Sequence, residues 1–404
     1  MRRAALSGIR VIDFTHMIAG PYGAQLLAYF GAEVIKVESI KHPDGFRRSG
    51  YGASGPGINA SRAFAEFNRN KLSVTVNMAT GEGREIIRRL VAVSDVVMEN
   101  FSRGVMERWG MEYAALRQVR PDLVMVSLQG MGQRGPKRDW VTWGPSLMPY
   151  AGLTTMWGYP DQDEPVGSQI AFPDYVVSTQ AAFVILAALE HRRRTGQGQF
   201  IEFAQVAGAV SLLPTTNLDY SVNRRVPPPQ GNGHPQHAPH GVYPCLGDDR
   251  WCAIAVTSDE QWRRFCACIG QPELITDARF AGAGSRVRHA AALDALVSEW
   301  TRGQTPHAVM QRLQTAGVPA GAVQNARDLN EDPHLQARGM LTRSDHPEVP
   351  NVTFPGIPVR LSETPGAITR HAPLLGQDNE YVLRELLGME EGEIAGLTER
   401  EVLV

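Results

Sequence analysis

Residues 9–38 read IRVIDFTHMIAGPYGAQLLAYFGAEVIKVE, and their pattern decides the fold class. Arg10 to Phe14 is a short apolar strand, Pro21 to Phe30 a helix opened by proline and closed by Gly31, and Glu33 to Val37 a second strand. This is a βαβ unit. The alternation continues with strand Leu72 to Val76, helix Gly81 to Val93, strand Asp95 to Met98, a helix from Val105, and strand Leu123 to Leu128. A long helix from Tyr175, stopped at Gly196, then leads to strand Gln199 to Phe203. Such an order predicts an α/β fold, a parallel sheet with helices on its faces. The turn Thr15-His16-Met17-Ile18-Ala19-Gly20 lacks the glycine spacing that lets a pyrophosphate approach, which argues against a nicotinamide enzyme.

The 404 residues suffice for two or three domains, with 43% hydrophobic and 20% charged residues as in ordinary globular proteins. A net charge of -2 gives no electrostatic reason for nucleic acid or an anionic membrane as partner. The longest clean apolar run, Ala181 to Leu189, is about half of a bilayer crossing. Met1-Arg2-Arg3 leads into Ala4-Ala5-Leu6-Ser7-Gly8, not into the apolar centre of a signal peptide, so the expected compartment is the cytoplasm. Residues 40–68, with glycines at 45, 50, 52, 55 and 57, form a long connection that reads as a mobile cover near the ligand. Arg224-Arg225-Val226-Pro227-Pro228-Pro229 reads as a stiff crossing. The expected division is a large domain of residues 1–203 and 330–404, a linker at 204–225, and a small α+β domain at 226–329. Thr398-Glu399-Arg400-Glu401 reads as the capping-box start of a helix.

Four constellations could carry chemistry. His234, His237 and His240, with Cys245 nearby, suggest zinc, but two prolines remove the helix that would aim them at one point, and an ordered polar loop is the preferred reading. Cys245, Cys252, Cys266 and Cys268 read as free buried thiols, and no GxSxG elbow appears, so serine or cysteine acyl transfer is not favoured. Asp174, in Phe172-Pro173-Asp174-Tyr175, stands in the first turn of the long helix, where its ordinary role is capping. Its chemical role would be that of a poorly hydrated carboxylate nucleophile, ionised at neutral pH, with the helix end offsetting its desolvation. His16 follows the first strand, where such sheets bind ligands. Asn100 and Phe101 end the strand from Asp95, and Arg108 lies in the next helix; together these could hold an adenine ring and phosphates.

Several segments, in order from about residue 6 to 387, resemble the class III CoA-transferase family, which includes formyl-CoA and carnitine CoA-transferases and the related α-methylacyl-CoA racemases. They are Leu6-Ser7-Gly8-Ile9-Arg10-Val11-Ile12-Asp13-Phe14, Ala19-Gly20-Pro21, Gly31-Ala32-Glu33-Val34-Ile35-Lys36-Val37-Glu38, Asn68-Arg69-Asn70-Lys71, Glu99-Asn100-Phe101 with Gly104, Arg194-Thr195-Gly196-Gln197-Gly198-Gln199, and Ala372-Pro373-Leu374-Leu375-Gly376. The resemblance implies a Rossmann-like large domain built from both chain ends, a smaller domain, and an interlocked homodimer. It implies Asp174 as catalytic residue, Ile18 and Ala19 along the CoA channel, Val76, Asn77, Met78, Ala79, Asn100, Phe101 and Ser102 at the nucleotide, and Arg108 at phosphate; His16, from its place after the first strand, is counted with them as a CoA-binding candidate. Ile18 stands where the oxalate-using branch carries glutamine, and the tetraglycine loop of that branch is missing. Trp143 stands where the racemase branch has its histidine, and indole cannot exchange an α-proton at neutral pH.

The expected reaction is transfer of coenzyme A from an acyl-CoA donor to an acceptor carboxylate through aspartyl anhydride and aspartyl-CoA thioester intermediates. Coenzyme A would be substrate, with no tightly bound cofactor and no metal. The alternatives are an acyl-CoA racemase or epimerase and a CoA-binding protein without catalysis. Met148, Met156, Trp157 and Tyr159 make an apolar or aromatic acyl group one option, against simple packing.

Overall fold

The computed structural model describes residues 4–48 and 55–404. Met1-Arg2-Arg3 and residues 49–54, in the middle of the expected cover, lie outside the described residues. Strands β1 (Arg10–Asp13), β2 (Glu33–Glu38), β3 (Leu72–Thr75), β4 (Val96–Glu99), β5 (Val124–Ser127) and β6 (Gln199–Glu202) form one parallel sheet in the order β3-β2-β1-β4-β5-β6. Their apolar runs have a plain cause: a parallel sheet is covered on both faces, so Val11, Ile12, Val34, Ile35, Val96 and Val97 are all fully buried. Ile12 pairs with Ile35 on one side and Val97 on the other.

On one face, the helices Ala19–Tyr29 and Phe172–Thr195 bury Ala24, Leu27, Val177, Ala181 and Ile185 against Val11, Val34, Val96 and Val124. On the other, Ile86, Ile87 and Leu90 of the helix Gly81–Ala92 meet Ile12, Ile35 and Val97, and Val382, Leu383, Leu397 and Val402 from the carboxyl-terminal end join them. The strand order reverses between β1 and β4, which opens a crevice at the carboxyl ends of those two strands.

The chain divides into two compact units, one comprising Met1–Thr154, Ser168–Arg225 and Ala337–Val404, the other Thr155–Gly167 and Val226–Gln336. Residues 204–225, expected as a linker, instead carry the helices Gln205–Val210 and Pro214–Asn223 within the larger unit. Only from Arg224, left-handed at φ 54°, does the chain lose regular structure as far as Pro229. Residues 155–167 group with the smaller unit, where Gly231 N–H donates to the Gly158 carbonyl at 2.9 Å, a long-range contact that no local pattern announces. That unit is built on the antiparallel strands β7 (His240–Pro244), β8 (Trp251–Ala255) and β9 (Ala320–Ala322), with a core of Trp262, Phe265, Leu293, Val297, Val309 and Leu313.

Two further readings are corrected. The described part of the 40–68 connection is fastened: its helices Gly45–Arg48 and Arg62–Phe67 bury Phe46, Phe64 and Phe67 with Val349, Phe354 and Ala372. Arg47 donates to both Glu38 carboxylate oxygens (2.9 and 3.0 Å), to Asn59 Oδ1 (2.8 Å) and to the Pro373 carbonyl (3.0 Å). Thr398 closes the helix Glu391–Glu399, its hydroxyl bonding the Ile394 carbonyl at 2.9 Å, and Glu401 at φ 55° turns the chain away.

Candidate active site

The turn after β1 is held from beneath by buried charge. Asp13 is fully buried and pairs with Lys71 at 2.8 Å; burial alone would raise its carboxyl, but Lys71 and Lys36 outweigh it and hold the group at about 2. Lys36, also fully buried, pairs with Asp44 at 3.0 Å and donates to the Thr15 carbonyl at 2.6 Å, while Asp44 accepts from Met17 N–H at 3.2 Å. Met17 has φ 70°, a conformation a methionine keeps only when its surroundings fix it. Asn100, at the end of β4, accepts from His16 N–H and donates to the His16 carbonyl, both at 2.8 Å. Both ends of its carboxamide thereby fasten the turn after β1 to the end of β4. The His16 ring meets Phe101 edge-on at 5.4 Å, and burial pushes its imidazole below the ordinary range against the pull of Asp44.

From this turn the chain enters the helix Ala19–Tyr29, whose N-cap Ile18 has no capping side chain, so the first amides look for an external acceptor. The helix Phe172–Thr195 packs beside it and begins in the same crevice; the Ser178 hydroxyl spans the two, lying 2.7 Å from the Ala19 carbonyl and 2.6 Å from that of Asp174. Asp174 is the third residue of the long helix and 8% exposed, yet its side chain makes no capping bond. The ordinary role of a first-turn aspartate is therefore not the one it has here. With no cation against it, burial raises the carboxyl to about 7, so the expectation of a fully ionised group at neutral pH is corrected. Gly144 makes room for it: a Cβ there would stand 2.2 Å from Asp174 Oδ2 and 2.8 Å from the Ala171 Cβ.

These elements enclose a cavity of about 700 Å³. It brings Asp174 together with His16, Ile18, Ala19, Asn100, Phe101 and Ser102. Val76, Asn77, Met78, Ala79 and Arg108 stand outside its lining; Val76 is core, Asn77 donates to the Glu401 carbonyl at 3.2 Å, and Arg108 is exposed on a short helix. Met148, Met156, Trp157 and Tyr159 are also outside it, whereas the exposed Trp140, Val141, Trp143 and Ile170 line it. Apart from Asp174 no acidic side chain lines the cavity among the described residues, and Arg103 and Arg138 do. A second cavity of about 290 Å³ shares Ser102 and Gln129 with the first and is bordered by Glu107, Glu112 and Glu99, the last with its carboxyl raised by burial to about 7.

The thiols and the histidine cluster lie away from this cavity's lining. Burial raises the thiols of Cys252 and Cys266 to about 12, far from a reactive thiolate. His234 and His237 stack on each other at 4.5 Å between ring centroids, and His240 turns to the Asn232 carbonyl at 3.0 Å. Sequence reasoning missed Gly144, Gln129 and the buried ion pairs. For the last a signal existed, since a charged residue in the apolar run Val11-Ile12-Asp13-Phe14 requires a buried partner.

The model of CoA-transferase family III matches residues 6–379. The chain is 35% identical over 398 residues to succinyl-CoA–D-citramalate CoA-transferase of Chloroflexus aurantiacus, covering 98% of each. It is 34% identical over 394 residues to succinate–glutarate CoA-transferase of Agrobacterium fabrum, covering 96% of this chain and 97% of that one. It is 37% identical over 405 residues to a Mycobacterium tuberculosis protein named probable CoA-transferase; the match takes in 98% of this chain but only 50% of that longer relative. Among solved structures, a CaiB/BaiF family protein from Brucella suis superposes with a TM-score of 0.87 at 32% identity, covering 95% of this chain and 100% of the other.

Proposed function

The chain belongs to CoA-transferase family III, and from that premise we propose that it moves coenzyme A between dicarboxylic acids with Asp174 as covalent nucleophile. The observation that carries the reading is the state of Asp174: a desolvated, uncapped carboxylate in a cavity whose other charged side chains are arginines. An Asp174 oxygen attacks the thioester carbonyl of the donor, the carbon–sulfur bond breaks, and the electron pair leaves with CoA thiolate. The product is a mixed anhydride. The thiolate then attacks the Asp174 carbonyl of that anhydride, releasing the donor acid and leaving an aspartyl-CoA thioester. The acceptor carboxylate repeats both steps in reverse. One thioester and one carboxylate are exchanged for another such pair, so the net free energy is small and no redox step is needed. The uncapped amides at the start of the helix Ala19–Tyr29 are the best placed backbone donors for the oxyanion. His16, Ile18, Ala19, Phe101 and Ser102 are assigned to the thioester arm, and Met78, Ala79 and Arg108, outside the cavity, to the nucleotide end.

The dicarboxylate class is supported by the relatives' printed succinyl and glutarate names. Turnover of succinyl-CoA in the presence of hydroxylamine is expected to leave a hydroxamate on Asp174, read by mass spectrometry. An unmodified Asp174 under turnover would remove the covalent route. Incorporation of solvent deuterium at the α-carbon of a 2-methylacyl-CoA, without an acceptor acid, would favour a racemase instead. We further propose a homodimer acting in the cytoplasm. The helix Pro214–Asn223 has no buried residue and exposes Leu218, Tyr220 and Val222, and the long helix exposes Phe183 and Leu186, apolar surface that a second copy would cover. A monomer mass by light scattering would contradict it.

A further inference from the structure

We propose that the His16 imidazole holds the sulfur of coenzyme A, donating a hydrogen bond to the thiolate that leaves when Asp174 is acylated. The inference rests on the Asp174 cavity being the transfer site. His16 lines that cavity, and among the described residues its hydrogen bonds are made by its backbone alone, N–H and carbonyl both closing on Asn100 at 2.8 Å. The ring is nevertheless held in place: it meets Phe101 at 5.4 Å between centroids, and Met17 beside it is kept at φ 70°. Its two nitrogens therefore keep their hydrogen-bonding capacity for a ligand. The charges around the imidazole are engaged elsewhere, Asp44 with Lys36 at 3.0 Å, Asp13 with Lys71 at 2.8 Å and Glu38 with Arg47 at 2.9 Å. Burial holds the ring neutral at pH 7, with one N–H donor and one acceptor. Two neighbouring amides of the lining are occupied, Asn100 by the His16 backbone and Gln205 by the Leu128 carbonyl at 2.6 Å. With the thioester oxygen on the amides at the start of the helix Ala19–Tyr29 and the CoA arm along Phe101 and Ser102, His16 stands where the two meet, two residues before the N-cap Ile18 and in ring contact with Phe101. As the Asp174 oxygen bonds to the thioester carbon and the carbon–sulfur bond breaks, the electron pair collects on sulfur, and the N–H meets it there. A thiolate is too weak a base to deprotonate a neutral imidazole, so no proton moves. The same bond holds the thiolate until its electron pair forms the new bond to the Asp174 carbonyl carbon of the anhydride and the donor carboxylate leaves.

The test uses the full chain as wild type and His16→Phe, which keeps a ring against Phe101 and removes both nitrogens. Free CoA is bound to each and its thiol titrated by ultraviolet thiolate absorbance, with desulfo-CoA, which lacks the sulfur, as the control ligand. Bound CoA is expected to ionise about 1–2 pH units lower on wild type than on His16→Phe, the effect of one hydrogen bond to an anion, while desulfo-CoA binds both equally. Asp174 acts on the sulfur alike in both proteins, so the difference belongs to His16. Labelling of Asp174 by succinyl-CoA and hydroxylamine should slow about 10- to 100-fold in the variant. Equal thiol titration on the two proteins overturns the inference, as does loss of desulfo-CoA binding by a folded variant, which would make His16 a structural residue. Should His16→Phe not fold, NMR of isotope-labelled histidine in wild type decides: His16 is the one histidine lining the cavity among the described residues, and a ring signal must move with CoA and stay with desulfo-CoA. No such signal overturns the inference. A lowered thiol with no label on Asp174 in wild type refutes the nucleophile and keeps the sulfur contact; a labelled Asp174 with equal thiols does the reverse.

Discussion

Replacing Asp174 by asparagine should remove activity and yet stabilise the protein, by an amount that grows with pH. The carboxyl titrates near 3.8 in the unfolded chain and is raised to about 7 in the fold by burial. The folded state therefore holds the proton more tightly than the unfolded one, and wild-type stability falls as pH rises from about 4 to about 7, then levels off. Holding the proton up to about 7 instead of 3.8 corresponds to about 4 kcal/mol once the folded group is ionised. At pH 5 less than half of that cost is already felt, and at pH 8.5 all of it is. Asparagine carries no proton and escapes both. The gap between Asp174→Asn and wild type should thus widen by about 2–3 kcal/mol between pH 5 and pH 8.5. Urea unfolding of the two proteins at both pH values measures it. A gap that stays constant with pH would show that Asp174 is not desolvated, and the account of its reactivity would fail with it.

Three other outcomes are expected. Gly144→Ala should lose about 100-fold in kcat and about 1–3 kcal/mol of stability, because its Cβ must push aside both Asp174 and the Ala171 Cβ; wild-type turnover would show that Gly144 does not place the nucleophile. Lys71→Met takes the ion-pair partner from the buried Asp13 and leaves it only Thr15 and the more distant Lys36, and should cost about 3 kcal/mol in urea unfolding at pH 7; a loss below about 1 kcal/mol would mean the pair does not organise the turn below the cavity. The value of kcat/KM for acyl-CoA should rise about tenfold per pH unit and level off near pH 7, as Asp174 of the free enzyme loses its proton; a plateau already reached at pH 5.5 would contradict that titration.

The sequence by itself determined the sheet. Apolar strands alternating with capped helices leave a doubly wound order as the way to cover both faces, and Pro173 before Asp174 with Gly196 at the far end marked the long helix. Ordered family words also singled out Asp174, against the local odds that it was a cap. Periodicity reports which face of an element is apolar, and so it could see neither the helices of 205–223 nor the anchoring of the 40–68 connection, whose partners lie near residues 349–373. Only the tertiary structure decided the state of the carboxylate. Desolvation depends on what surrounds a group in space, and what surrounds Asp174 is Gly144 from one chain segment and a helix start from another, far apart in sequence.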